Sequence, residues 1–255
     1  MNISQLYRPI NELEIKSLQD AQQIFSDCYL VATLNSLSRT NKGQKILKQN
    51  IQKSIYPDYP EYKIHFPSVN KKAEDIFVSQ KEINNLTLSD KYGNPVMHDI
   101  KENPTLKAVE IAMNKLIAKH PALKSLINRI PESVENFEYN SPHRFMKIFT
   151  GKTPRSINEC TWRNSLQSST AEAKIVLNLI SESEKQHNFI AGTGYFVRHP
   201  NLETWHCYVI TDVNLKNDKI TLYNQKKKQT FQMSIMTFLK KFKFITGFLP
   251  KDLGK

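Results

Sequence analysis

Apolar residues recur three and four positions apart in the run after Asp27. Leu30, Val31, Leu34 and Leu37 of CYLVATLNSLSR fall on one face, and the spacing predicts a helix. Asp27 is a natural N-cap, which puts Cys28 in the first helical turn. Asn103-Pro104 opens a second helix with Leu106, Val109, Met113, Leu116 and Ile117 on one side, ending at His120-Pro121. A third starts at Ser141-Pro142 and carries Phe145, Ile148 and Phe149 to Gly151. Between about 54 and 100 the prolines at 57, 60, 67 and 95 and short mixed segments suggest irregular structure with a hairpin.

From Lys174 the period changes. KIVLNLI, FIAGTGYFV, WHCYVITDV and KITLYN are short and rich in β-branched and aromatic residues, and read as strands, the last two joined by the turn-like NLKND. FQMSIMTFLKKFKFI returns to helical spacing through Phe231, Ile235, Phe238 and Phe242. Helices first and antiparallel strands later predict an α+β chain in two segregated layers, a helical lobe over 1–165 and a β-rich lobe over 166–255.

Composition narrows the chemistry. The 255 residues suffice for a real core without disulfides or a metal. With 39% apolar residues, a mean hydropathy of -0.51 and no apolar run near 20 residues, no membrane span is predicted. MNISQLYRPINELEIK lacks the basic start and apolar segment of a secretory signal. Cys28, Cys160 and Cys207 lack CxxC or CxxH spacing, so neither a disulfide framework nor a zinc knot is expected, and a reducing cytosol is. The seven glycines spell neither GxGxxG nor GxxxxGK[ST], which removes the phosphate-cradling nucleotide folds. No cofactor or metal is expected. The net charge of +12 reads as a solvated basic surface, including Lys226 to Lys228, Lys240, Lys241 and Lys243; an acidic partner or an anionic membrane surface is the alternative reading, and no specific nucleic-acid partner is expected.

Three residues then combine: Cys28 at a helix start, His206 in a strand and Asn224 at the end of the next strand. A thiol attacks well only as thiolate, and a helix N-terminus with a nearby imidazolium favours that form. The imidazole needs an acceptor on its other nitrogen; Asn224 is the candidate, with Asp212 the weaker one. Gln22 offers an amide NH₂ to a developing oxyanion, beside the backbone N–H of Cys28.

These residues carry a resemblance. QQIFSDCYLVATLNSL resembles the catalytic segment of calpain-type, papain-fold cysteine proteases, matching at Gln22, Asp27, Cys28, Tyr29, Leu30, Ala32, Ser36 and Leu37. WHCYVITDV is similar to the family's His-Ala-Tyr-x-Val strand, with His206, Tyr208 and Val209, and ITLYN to the strand ending in its catalytic Asn, here Asn224. NPTLKAVEIAMNKLIAKH, SPHRFMKIFTGKTP and QMSIMTFLKKF are weaker echoes. The family's Trp after the Cys is Tyr29 here, and its Pro-Trp-Gly after the Asn is Gln225-Lys226-Lys227. In the family that indole covers the Asn–His hydrogen bond.

The resemblance implies a papain-like, two-lobed cysteine endopeptidase consisting of the catalytic core, acting on protein or peptide substrates through Cys28, His206 and Asn224, with Gln22 and Cys28 as the oxyanion hole. Calcium dependence is not implied, since no acidic calcium loop is found. Two alternatives share the residues: an acyl-transfer enzyme (transglutaminase, deamidase or isopeptidase) using the same thioester, and an inactive basic adaptor. A signal-less, Lys/Asn-rich protease core also suits a bacterial effector delivered by a specialised secretion system.

Overall fold

The fold is described from a computed structural model, covering residues 5–22, 28–69, 71–84, 88–89, 95–96, 103–121, 123, 142–158, 168–183, 185–194 and 197–254. The elements run β1 (Tyr7–Pro9), α1 (Glu12–Gln19), α2 (Cys28–Ser38), α3 (Asn41–Asn50), β2 (Ile51–Ser54), β3 (Tyr62–Val69), β4 (Lys72–Val78), α4 (Gln80–Asn84), β5 (Leu88–Ser89), β6 (Pro95–Val96), α5 (Pro104–Lys119), α6 (Pro142–Thr150), β7 (Arg155–Asn158), α7 (Ser168–Glu182), β8 (Asn188–Thr193), β9 (Cys207–Asn214), β10 (Lys219–Asn224), β11 (Gln229–Ser234), α8 (Ile235–Lys241) and β12 (Phe242–Phe248). A 3₁₀ turn over Pro250–Leu253 follows. Every strand pair is antiparallel, so the chain is α+β.

Two sheets do most of the work. The smaller has the order β1-β2-β3-β4, and the larger β11-β10-β9-β8-β12-β7. All eleven residues of α2 are buried. A helix apolar all round must lie inside. Its neighbours are β8 and β9 of the large sheet on one side and α1, α3 and α6 on others. One continuous core joins α2 to Tyr62, Ile64 and Phe66 of β3, to Leu106, Val109 and Leu116 of α5, and to Phe145 and Phe149 of α6.

The large sheet is buried on both faces, and the strand period of two sorts its residues. Ile190, Cys207, Val209 and Tyr223 join the α2 core, whereas Phe189, Ala191, Tyr208, Ile210, Ile220 and Leu222 pack with Leu177 and Ile180 of α7 and Ile235 and Phe238 of α8. Cys207 thus faces α2, opposite to Tyr208, as alternation predicts.

Polar contacts fix α2 inside the core. Asn35 Nδ2 donates to the carbonyls of Leu18 and Gln19 at the end of α1. Asn188 Nδ2 donates to Ser36 O at 2.7 Å, while its Oδ1 accepts from Thr40. The Thr40 side chain also caps α3 by accepting from Gly43 N–H. A Cβ on Gly43 would lie 2.1 Å from Leu37 O, so only glycine lets α3 cross α2 this closely.

Several expectations are corrected. KIVLNLI is part of α7, not a strand; only Leu177 and Ile180 of that run are buried, three apart, and Ile175 is 57% exposed. The helical reading of FQMSIMTFLKKFKFI holds for Ile235–Lys241 alone, with Phe231 in β11 and Phe242 in β12. Phe231, Phe238 and Phe242 converge on one core because strands and helix deliver them to the same face, whereas Phe244 packs against the α2 core. The N-terminal half is not purely helical: Tyr62, Ile64 and Phe66 alternate inward on β3, which pairs with β4 as the hairpin expected in this stretch and extends into the four-stranded small sheet, which was not expected. β7 lies before the expected lobe boundary at 165, yet pairs with β12 in the large sheet. His206 sits one residue ahead of β9 rather than within it. Asp27, as N-cap, and Cys160 lie outside the described residues, and among those described no helix is long and apolar enough to cross a membrane.

Two stability predictions follow from this packing. Leu177→Ala should cost about 3 kcal/mol and Ile175→Ser less than about 0.5 kcal/mol in urea unfolding; a strand over 174–180 would not give that contrast. His187 is buried beside Phe189, and burial lowers its pKa from 6.5 to about 4, partly opposed by Asp212. The unfolded chain therefore binds the proton first, so stability falls as pH drops from about 6.5 to 4, by up to roughly 3 kcal/mol. His187→Phe should flatten that part of the profile of unfolding free energy against pH.

Candidate active site

The site lies where the N-terminus of α2 meets the ends of β9 and β10. Cys28 is the first residue of α2, so its thiol stands at the positive end of the helix dipole, beside N–H groups without intrahelical acceptors. Its Sγ lies 3.8 Å from the carbonyl oxygen of Trp205. Trp205 has φ of 53°, a left-handed conformation costly for a bulky residue. The turn is held by Trp205 N–H to Gly194 O at 3.3 Å and by His206 N–H to Thr193 Oγ1 at 3.1 Å. The strained residue aims its carbonyl at the thiol and delivers His206 next in the chain.

His206 is 4% exposed, and its ring meets Tyr208 edge-on at 4.6 Å. Its Nε2 is 3.1 Å from Asn224 Oδ1. The amide orientation is fixed independently: Lys226 N–H and Lys227 N–H donate to the same oxygen at 3.0 and 3.2 Å. Backbone N–H groups only donate, so the atom facing them is oxygen, and His206 must carry its proton on Nε2. Nδ1 is thereby the nitrogen left for proton exchange with a thiol. Asp212, the other candidate acceptor, lies six residues along β9, about 20 Å away by strand rise, and does not serve His206.

Gln22 is also here. Its Nε2 donates to Lys226 O at 3.0 Å, which uses one amide hydrogen and leaves the other. Tyr29, where a tryptophan was the family expectation, is buried edge-on against Phe145 of α6 at 5.9 Å. Gln22, Cys28, His206 and Asn224 are thus gathered at one corner by the chain segment 224–226, which touches each of them or its neighbour.

Sequence reasoning missed two residues. Gln225, fully buried, donates from Nε2 to Cys28 O at 3.2 Å and Cys207 O at 2.7 Å. It stitches the start of α2 to the start of β9. Glu203 accepts from Asn224 Nδ2 at 3.4 Å and pairs with Lys226 Nζ. Burial raises its pKa, but the hydrogen bonds from Lys226 and Asn224 and the nearby His206 bring it below the ordinary carboxylate range. An acid three positions before the histidine was the only available signal. Lys226 and Lys227 both lie within 4 Å of this carboxylate, so that part of the lysine run is not a purely solvated face.

The arrangement has a buried thiol at a helix start, an imidazole in a fixed tautomer and amide donors alongside. Such a set can generate a thiolate and hold an oxyanion. Among the described residues no group of three or more His, Cys, Asp or Glu is placed to hold a metal. In comparisons with known proteins, no protein-family model matches the chain and no curated protein sequence matches it.

The Gln225 stitch has a measurable worth. Gln225→Met keeps the volume but strips two buried carbonyls of their donor, and should destabilise the fold by about 2 kcal/mol in denaturant unfolding. A loss below about 0.5 kcal/mol would show that these carbonyls find other donors.

Proposed function

We propose that this chain is a papain-like, calpain-related cysteine peptidase, with the nucleophile on α2 and the histidine and asparagine on the large sheet. The observation that carries the reading is the His206 Nε2–Asn224 Oδ1 bond, which reserves Nδ1 for the thiol, next to a cysteine that opens a buried helix. The motif resemblance at Gln22, Cys28, His206 and Asn224 supports it independently.

In this mechanism the Cys28 proton passes to His206 Nδ1, giving a thiolate–imidazolium pair favoured by the helix dipole. The thiolate attacks a peptide carbonyl, and the oxyanion is met by the second amide hydrogen of Gln22 and the backbone N–H of Cys28. Imidazolium returns its proton to the departing amine as the C–N bond breaks, leaving a thioester. Water then gives its proton to His206 while attacking the thioester, and the acid departs with regeneration of the thiol. Asn224 keeps the ring in register throughout.

The test is alkylation by a thiol-directed epoxide peptide probe, together with cleavage of an unfolded protein substrate. Wild type should be labelled at Cys28, Cys28→Ala not at all, and His206→Ala more slowly by roughly a thousandfold. A wild-type thiol no more reactive than a free cysteine would overturn the proposal. Labelling accompanied by amine crosslinks or deamidated glutamine without chain cleavage would assign the site to acyl transfer instead.

A further inference from the structure

The polar shell behind Asn224 contains a residue that neither the motif nor the proposed mechanism uses. Asn224 is 1% exposed, so its amide hydrogens need an acceptor inside the protein. Oδ1 is taken by His206 and two backbone N–H groups, and Nδ2 points to Glu203 Oε1. The Glu203 side chain is 21% exposed and is fixed from several directions. Its own N–H donates to the Tyr208 hydroxyl at 2.7 Å, its carbonyl accepts from Thr193 Oγ1, and its second carboxylate oxygen pairs with Lys226 Nζ. Thr193 Oγ1 also accepts from His206 N–H, so one threonine sets the backbone of both residues.

We propose that Glu203 is a positioning residue of the site, acting on His206 through the Asn224 amide in a His206–Asn224–Glu203 relay that stands where an indole shield is otherwise expected. The inference rests on the peptidase reading of Cys28 and His206. Physically, the relay does two things. It satisfies the hidden face of the Asn224 amide, and it holds the plane of the amide that His206 meets. The charged or titratable groups around His206 are Glu203, Lys226 and Lys227 bound to it, Tyr208 edge-on, Cys207 next in the chain and the Cys28 thiol beside Trp205. Tyr208 stays a neutral phenol because burial raises its pKa.

The experiment separates charge from shape. Glu203→Gln keeps an acceptor for Asn224 but removes the anion, and Glu203→Ala removes both. The pH profile of Cys28 alkylation should keep its plateau in Glu203→Gln, which still offers Asn224 an acceptor. Glu203→Ala should lose roughly tenfold in plateau rate. Thermal melts check that both variants fold, and ¹⁵N-histidine NMR supplies a readout independent of reactivity. Where the ring is neutral, the wild-type spectrum should show only the Nε2–H tautomer of His206, and Glu203→Ala, in which only the Lys226 and Lys227 N–H groups still hold the Asn224 amide, should show a measurable share of the Nδ1–H form. A profile and tautomer identical to wild type in folded Glu203→Ala would overturn the relay while leaving the peptidase reading intact. An unreactive wild-type thiol would overturn both.

Discussion

Burying α2 on every side is the constraint from which the rest follows. A helix with no solvent face cannot leave its polar groups to water, so most are answered inside the protein, with the Ser36 hydroxyl left unpartnered. Thr33 and Ser38 bond back to carbonyls of their own helix, and Asn35 reaches the end of α1. Asn188 of β8 meets Ser36 O, and Gln225 meets Cys28 O. These contacts set the height and rotation of α2 against the large sheet. The thiol at its first residue is therefore held by the core, and its place is a consequence of packing.

The strand period then divides labour between adjacent residues. Asn224 turns to His206 on one side, while Gln225 turns to Cys28 O and Cys207 O on the other. His206 and Tyr208 share a face, and Cys207 between them packs against α2. Two consecutive residues at the end of β10 therefore tie both halves of the site, the histidine by its ring and the cysteine by its helix. A one-residue slip of β10 would exchange those roles and undo both. The antiparallel register with β9, which pairs Tyr223 with Val209, fixes the choice.

What could be read in the sequence depended on how local the signal was. α2, α5 and α6 carry their own evidence, an apolar spacing of three and four and, for α5, a cap-and-proline start; β9 and β10 alternate around a turn. KIVLNLI misled because β-branched residues favour strands only when a sheet takes them up, and here Leu177 and Ile180 belong to a helix lying across one. The alternation of Tyr62, Ile64 and Phe66 was present but ran into Pro67 and lay among other prolines. Cys28, His206 and Asn224 were singled out from local context, a helix start, a strand and a strand end, and the fold brings His206 Nε2 to 3.1 Å from Asn224 Oδ1. Gln225 and Glu203 had no such context, since each acquires its role only from partners brought in by the fold.

The corner behind the histidine also shows how a polar chain keeps a hydrogen bond dry. An indole would exclude water by bulk. Here exclusion comes from saturation: Asn224 Oδ1 takes three donors, its Nδ2 has a carboxylate, that carboxylate has a lysine, and Gln22 closes on Lys226 O. Such a network is strong only while each member is satisfied, because every lost partner leaves a desolvated group behind. It also carries charge where an indole carries none. Glu203 holds Lys226 at its carboxylate and Lys227 within 4 Å, so the lysines that follow Asn224 are answered by an opposite charge at the edge of the network.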